Sequence, residues 1–307
     1  MLKPGRTRTS KSATTSRPRT NKQNRKKGKD EKARRQQAEK ILARPRMNNK
    51  HNKTTTAPQP KHQTNSRGIS IQSLHLPASR HNGDCLDHIW ITDKKLLIYL
   101  VDVSSRGTAS ATQALSLQWL LRSYNLGTKT MLNPAQVLAK LNRRFPIEKQ
   151  SNYFTMWYGV YSCSSRKLRY STGGHPPALI IREAKTSQTN HQRRDLNVLK
   201  LSTHGLGIGL VDRAGYQNSS VRIEPRDRLL IFSDGLYEFV DHKGEMWSYT
   251  KLCEYVAKYG HSMDVHTLTD QLIKRSGSGR FRDDCSVVLI DFPAEEEELS
   301  KPIGTAS

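Results

Sequence analysis

The sequence predicts an α+β domain with largely antiparallel sheets, and the order of its apolar runs carries that expectation. Apolar runs of strand length cluster over residues 69–101, helical periods follow over 108–144, strands return over 153–232, and two further helices precede a closing strand at 286–292. That order is not the repeating strand–helix–strand alternation of a parallel sheet. Several of the apolar runs stop at an aspartate. The charge is also unevenly placed: residues 1–67 hold 21 of the 51 Lys and Arg but only 3 of the 27 Asp and Glu.

The basic segment therefore separates from the rest. Residues 1–67 are rich in Lys, Arg, Asn, Gln, Thr and Ser and bury too little apolar surface to offset their ordering entropy, so a disordered tail is expected. Asp30 and Glu31 can cap a solvated helix that Pro45 stops. With +24 on the whole chain, concentrated here, the tail suits an anionic partner such as nucleic acid or an acidic membrane surface, or serves solubility alone. It carries no Phe, Trp or Tyr on which bases would stack. The low hydrophobic share, 35%, is explained by this tail. Residues 294–307 form a short acidic C-terminal tail by the same reasoning.

Cys85, Cys163, Cys253 and Cys285 form no Cys-x-x-Cys pair and no zinc spacing with histidine, and read as reduced, buried side chains. No apolar run approaches the ~18 residues of a membrane span, and the N-terminus lacks a secretory apolar core. A soluble, cytoplasmic protein is expected.

Within 68–293 the elements follow from period and punctuation. Residues 69–76 alternate as a strand, and 77–83 form a loop. Residues 88–91 and 96–101 make a hairpin around 92–95. After a small polar loop at 102–107, residues 108–124 form a helix with an apolar face of Ala111, Ala114, Leu115, Leu117, Trp119 and Leu120. Asn133 caps a helix that opens on Pro134 and runs to Arg144. Residues 153–161, 167–171, 178–181, 198–201, 221–223 and 228–232 are strands. Residues 183–197 are the loop of a long hairpin. Gly205-Leu-Gly-Ile-Gly209 lacks the strand–loop–helix setting of a phosphate loop and reads as a turn. Residues 249–259 and 265–276 are amphipathic helices.

The stretch Asp227-Arg-Leu-Leu-Ile-Phe-Ser-Asp-Gly235 organises the functional reading. A strand ending at Asp234-Gly235 presents a carboxylate at the sheet edge, and the glycine leaves room for an ion or phosphate. The pattern recurs: Leu96-Leu-Ile-Tyr-Leu-Val-Asp102 is a second such strand, and Gly83-Asp84 with Asp87, and Asp283-Asp284, are further acidic clusters beside strands. Brought together they form a pocket of hard oxygen ligands suited to Mg²⁺ or Mn²⁺. Carboxylates without cationic neighbours repel, and two such ions would let them coexist while lowering the pKa of a shared water.

With these residues the chain resembles the metal-dependent type-2C Ser/Thr protein phosphatases, in the bacterial branch typified by SpoIIE and RsbU. The matching segments are Asn82-Gly-Asp-Cys-Leu-Asp87, Val101-Asp-Val-Ser-Ser-Arg-Gly107, 154–160 followed by Leu168-Arg-Tyr-Ser-Thr-Gly-Gly-His-Pro-Pro177, Asp227 to Glu238, and Asp283-Asp-Cys-Ser-Val287. The resemblance implies a four-layer sandwich of two antiparallel β-sheets flanked by α-helices, with two Mn²⁺ or Mg²⁺ ions at one edge. It implies that Asp102 bridges both ions, that the Val103 carbonyl binds the second, that Asp234 and Asp283 bind the first, and that Asp84 binds or orients metal-bound water. Glu238 and Asp284 take supporting roles, and His175 shapes a turn. Asn82, Val101, Ser105 and Arg106 depart from the usual motifs, and Arg106 stands where it can assist phosphate binding or simply be solvated.

The implied activity is hydrolysis of a phosphoserine or phosphothreonine ester, with a phosphorylated anti-anti-sigma (STAS-type) regulator of a partner-switching pathway as substrate. Two rivals remain: a phosphatase-fold module that binds without catalysis, and a nucleic-acid-associated factor acting through the tail.

Overall fold

A computed structural model describes residues 60–65, 67–78, 83–105, 107–150, 152–184 and 196–294. Eleven strands among them form two sheets, antiparallel throughout. The six-stranded sheet has the order β1-β2-β11-β10-β7-β8 and the five-stranded sheet β3-β4-β5-β6-β9. The strands are β1 (Lys61–Thr64), β2 (Ser70–Leu76), β3 (Cys85–Thr92), β4 (Lys95–Val103), β5 (Phe154–Ser162), β6 (Lys167–Gly173), β7 (Ala178–Glu183), β8 (Leu196–Leu201), β9 (Ser219–Arg222), β10 (Arg228–Phe232) and β11 (Cys285–Asp291). The longer helices are α1 (Thr108–Arg122), α2 (Pro134–Arg144), α3 (Tyr249–Tyr259) and α4 (Val265–Arg275).

The continuous apolar runs are explained by burial on both faces. In β4, Leu96, Ile98 and Leu100 enter the core between the sheets, while Leu97, Tyr99 and Val101 face α1 and α2. In β10, Leu229 and Ile231 face the other sheet, and Leu230 and Phe232 face α3 and α4. Side chains alternate across a strand, so a strand between two layers must be apolar at every position. The result is the expected four layers, helices–sheet–sheet–helices.

Local signals set the helix starts. The Asn133 side chain accepts from Gln136 N at 3.4 Å ahead of Pro134, Ser248 accepts from Lys251 N at 3.3 Å, and Asp264 from Thr267 N at 2.6 Å. The α1 face is narrower than expected: Ala114, Leu117, Leu120 and Leu121 are buried, but Leu115 and Trp119 are exposed. No described helix is long and apolar enough to cross a membrane.

Several expected boundaries move. Lys61–Thr64, assigned to the tail, form β1 and pair with β2. The tail and the candidate helix after Asp30 otherwise lie outside the described residues, as do residues 295–307 and most of the β7–β8 loop. Strand β3 begins at Cys85, three residues earlier than expected, and β4 runs through Asp102 to Val103, so Asp102 is within a strand. The segment 205–209 is a turn whose amides are used internally: Ile208 N donates to Phe154 O at 2.7 Å and Gly209 N to the Asn142 side chain at 2.7 Å.

Candidate metal centre

Four strand ends and one short turn meet at one edge of the sandwich. Asp102 lies two residues before the bend that follows β4, opposite Thr155 of β5. The chain leaves the sheet at Ser104, whose N–H donates to Tyr153 O at 3.0 Å. Val103 is buried, and its carbonyl lies 3.1 Å from where a Cβ on Gly83 would stand, so Gly83 allows the next strand to approach. Asp84 follows Gly83 at the start of β3. Asp234 opens a single 3-10 turn after β10, and Asp283-Asp284 lead into β11.

The pairing of β10 with β11, with Phe232 opposite Val287, carries Asp234 toward Asp283 and Asp284. Ser233 N donates to Ser286 O at 3.0 Å, and Ser286 N donates back to Ser233 Oγ at 2.9 Å. Gly235 completes the approach. A Cβ there would stand 2.2 Å from the Asp284 carbonyl oxygen. The space beside this glycine on its Cβ side is therefore filled by backbone.

Electrostatics tie the carboxyls together. Burial, and next the charges of Asp234, Asp283 and Asp284, push Asp102 up to about 7. Burial, and next the charge of Asp102, hold Asp84 well above the usual carboxylate range, against hydrogen bonds from Ser286 and Ser233. The charges acting on Asp102 are thus carboxylates, and such a donor set fits a hard divalent cation. The side chains are nonetheless open: among the described residues no three His, Cys, Asp or Glu side chains stand close enough to hold a metal ion.

Other acidic residues have structural work. Asp284 accepts from Ala78 N at 2.8 Å and Gly83 N at 3.1 Å, and so holds both sides of the segment leading to Asp84. Asp87 does not join the edge. Three residues from Asp84 along a strand, it faces the opposite side and accepts from Arg122 Nη2 at 2.8 Å and from the Tyr99 hydroxyl at 3.4 Å. Glu238 is exposed, and its N–H donates to Asp234 O at 2.9 Å. Asn82 and Arg106 lie outside the described residues. Cys285 is buried, which pushes its thiol well above the ordinary range and leaves it unreactive.

His175 is buried and spans the two sheets. Its Nδ1 is 2.9 Å from Thr155 Oγ1, and its Nε2 is 3.2 Å from Phe232 O. Three contributors were not assigned from the sequence. Ser233 and Ser286 stand inside quoted motifs without a role having been given to them. His75, whose Nδ1 is 2.7 Å from Ser286 Oγ, occupies the inner parity of β2 with Ile71 and Ser73. A histidine on the face that should be apolar is the signal that would have found it.

The family pattern of Stage II sporulation protein E (SpoIIE) matches residues 92–293. The chain belongs to the SpoIIE family. Its match takes in the Asp102, Asp234 and Asp283 segments and begins after Asp84. Over 172 residues the chain is 25% identical to the phosphoserine phosphatase RsbU of Bacillus subtilis, a match to 55% of this chain and 47% of that protein. It thus spans less than half the length of RsbU. A structure of RsbU and RsbW domains from Mycobacterium tuberculosis is similar at a TM-score of 0.58 and 20% identity, over 78% of this chain and 62% of the other. The structure of RsbX in complex with magnesium is similar at 0.53 and 14% identity, over 76% of this chain and 99% of the other. These two likenesses show the same two-sheet sandwich.

Proposed function

We propose that this SpoIIE-family chain is a metal-dependent protein phosphatase that hydrolyses phosphoserine or phosphothreonine esters. One observation carries the reading: strand ends of both sheets bring carboxylates to one edge, where burial, and next the charges of Asp234, Asp283 and Asp284, raise Asp102, and burial, and next the charge of Asp102, raise Asp84. Asp84, Asp102, Asp234 and Asp283, with the Val103 carbonyl, would hold two Mn²⁺ or Mg²⁺ ions. Ions bound there neutralise the phosphate oxygens and bring a water to a nucleophilic pKa near neutrality. The magnesium in RsbX supports this choice of ion class.

The chain's own residues then have defined parts. Asp102, from one sheet, and Asp234, from the other, hold the reacting centre between rigid strand ends. Ser233 and Ser286 orient Asp84 through their hydroxyls. Asp284 fixes the segment before Asp84 by accepting two backbone N–H groups. His175 keeps the two sheets in register and donates no proton to the reaction.

The substrate we favour is a phosphorylated STAS-type anti-anti-sigma regulator, by analogy with the family. We assign catalysis to residues 68–293, with β1 as an added edge, and to the basic N-terminal segment a contact with an anionic partner. A cytoplasmic setting is consistent with such a substrate.

A second reading, a phosphatase-fold module that binds without catalysis, is favoured by the openness of the carboxylates, no three of which stand at metal spacing among the described residues. Turnover of an aryl phosphate and a phosphoserine peptide by the full chain, with Mn²⁺ or Mg²⁺, separates the two. The phosphatase reading expects metal-dependent hydrolysis that chelator and Asp234→Ala both abolish. Inactivity with both ions and both substrates selects the binding module.

A further inference from the structure

At the end of the five-stranded sheet away from Asp102, β4 opens, β5 ends and β6 opens side by side. Lys95, which opens β4, lies opposite Ser162 of β5, and Ser162 lies opposite Lys167, which opens β6. One pair further in, Val160 lies opposite Arg169. Cross-strand partners share a face, as do residues two apart. Lys95, Ser162, Lys167 and Arg169 therefore stand on the outer face, in continuation of Leu97 and Val160, which the helices cover. Together with Leu132, Val160 and Ser165 they line a recess of about 190 Å³.

Three cations thus line one cavity. None of the three forms an ion pair with a described carboxylate. Lys95 Nζ donates to Ser162 Oγ at 2.7 Å, and the neighbouring Asp93 is 3.6 Å from Arg67. Like charges crowded on one sheet face destabilise it unless an anion joins them. The donor set suits a compact dianion: two ammonium groups as point charges, a guanidinium fork, and two serine hydroxyls. Among the described residues no aromatic side chain lines the recess, so none of them there would stack on a nucleobase.

We propose that this recess binds a phosphomonoester-type dianion at a site separate from the carboxylate edge. Asp102 lies seven residue steps along β4 from Lys95, roughly 23 Å on an extended strand. The proposal is independent of the phosphatase reading, because it rests on no residue of that edge. The dianion has two possible sources, free phosphate or the phosphorylated side chain of a protein.

The test is calorimetric titration of the full chain with inorganic phosphate, in chelator and at fixed ionic strength. A phosphoserine peptide forms a parallel arm. Chelator keeps the carboxylate edge free of metal, so phosphate finds no cation there. Saturable one-to-one binding is expected, weakened about tenfold by Lys167→Ser or Arg169→Ser through the loss of one charge-assisted contact. Lys94→Ser removes the same charge outside the recess and is expected to leave the affinity unchanged, as is Asp102→Ala. Peptide binding as tight as phosphate or tighter assigns the protein source, and weaker binding assigns free phosphate. Absence of saturable binding, equal weakening by Lys94→Ser, or loss of binding in Asp102→Ala would overturn the proposal.

Discussion

The Thr155 hydroxyl and Nδ1 of His175 lie 2.9 Å apart at the seam between the two sheets. On its other side the ring reaches Phe232 O, which can only accept, so Nε2 carries the hydrogen and Nδ1 accepts from Thr155. Thr155 is the cross-strand partner of Asp102, and Phe232 stands two residues before Asp234. One buried ring thus joins β5, the neighbour of the strand that carries Asp102, to β10, which leads to Asp234. His175→Ala is expected to cost about 3 kcal/mol, from the cavity and two buried groups left unpaired. Urea unfolding measures this cost. Retention of wild-type stability would remove the ring from the structural account.

The same ring predicts a pH dependence. Burial lowers His175 from 6.5 to about 3. Between those values the unfolded chain takes up a proton that the folded chain does not, so stability falls as pH drops below the unfolded value and is flat above it. At pH 5 the expected loss is about 2 kcal/mol. Stability measured at pH 7.5 and pH 5 should show this difference in the wild type and a smaller one in His175→Gln. Equal losses in the two proteins would contradict it.

Gly235 allows the turn bearing Asp234 to lie on the backbone before β11. A Cβ there meets the Asp284 carbonyl at 2.2 Å and also crowds the Asp283 carbonyl at 3.2 Å, and neither is a flexible side chain that can swing aside. Gly235→Ala is expected to cost about 2–3 kcal/mol and to weaken metal binding by displacing Asp283 from Asp234. Thermal unfolding and a Mn²⁺ titration of the variant report the two effects separately. A variant that matches the wild type in both would refute the close approach.

Asp227, at the head of the organising stretch, is not part of the metal edge. It is buried, and Arg182 grips it through Nε at 2.9 Å and Nη2 at 2.7 Å while Glu224 N adds a third bond at 2.7 Å. Removing the guanidinium strands a buried carboxylate. Arg182→Met is therefore expected to lose about 3 kcal/mol, with turnover of the remaining folded protein unchanged. A chemical denaturation curve beside an activity assay at low temperature checks both halves.

The parts of the fold that were legible in sequence are those where burial left a continuous mark. Strands β4, β10 and β11 are apolar on both faces, and the caps at Asn133, Ser248 and Asp264 are local, so period and punctuation suffice. Strand β1 left no such mark: all four of its residues are exposed, and backbone pairing with β2 holds it in place. Asp87 looked like a member of the acidic cluster because its partner, Arg122, is 35 residues away. Asp234-Gly235 reads locally as a turn, but the carbonyl that fills the space beside the glycine comes from nearly 50 residues downstream. Such non-local contacts have no signature within a window of the sequence. The aspartates at strand ends were legible because each strand announces its own end.

The central claim is that carboxylates from both sheets hold two divalent cations, and counting bound ions tests it most directly. The measurement is a Mn²⁺ titration of chelator-treated full chain, followed by the electron paramagnetic resonance of free ion. The account predicts two ions per wild-type chain, loss of both in Asp102→Ala, and loss of at least one in Asp234→Ala. A wild-type chain that binds none, or an Asp102→Ala chain that still binds two, would contradict it.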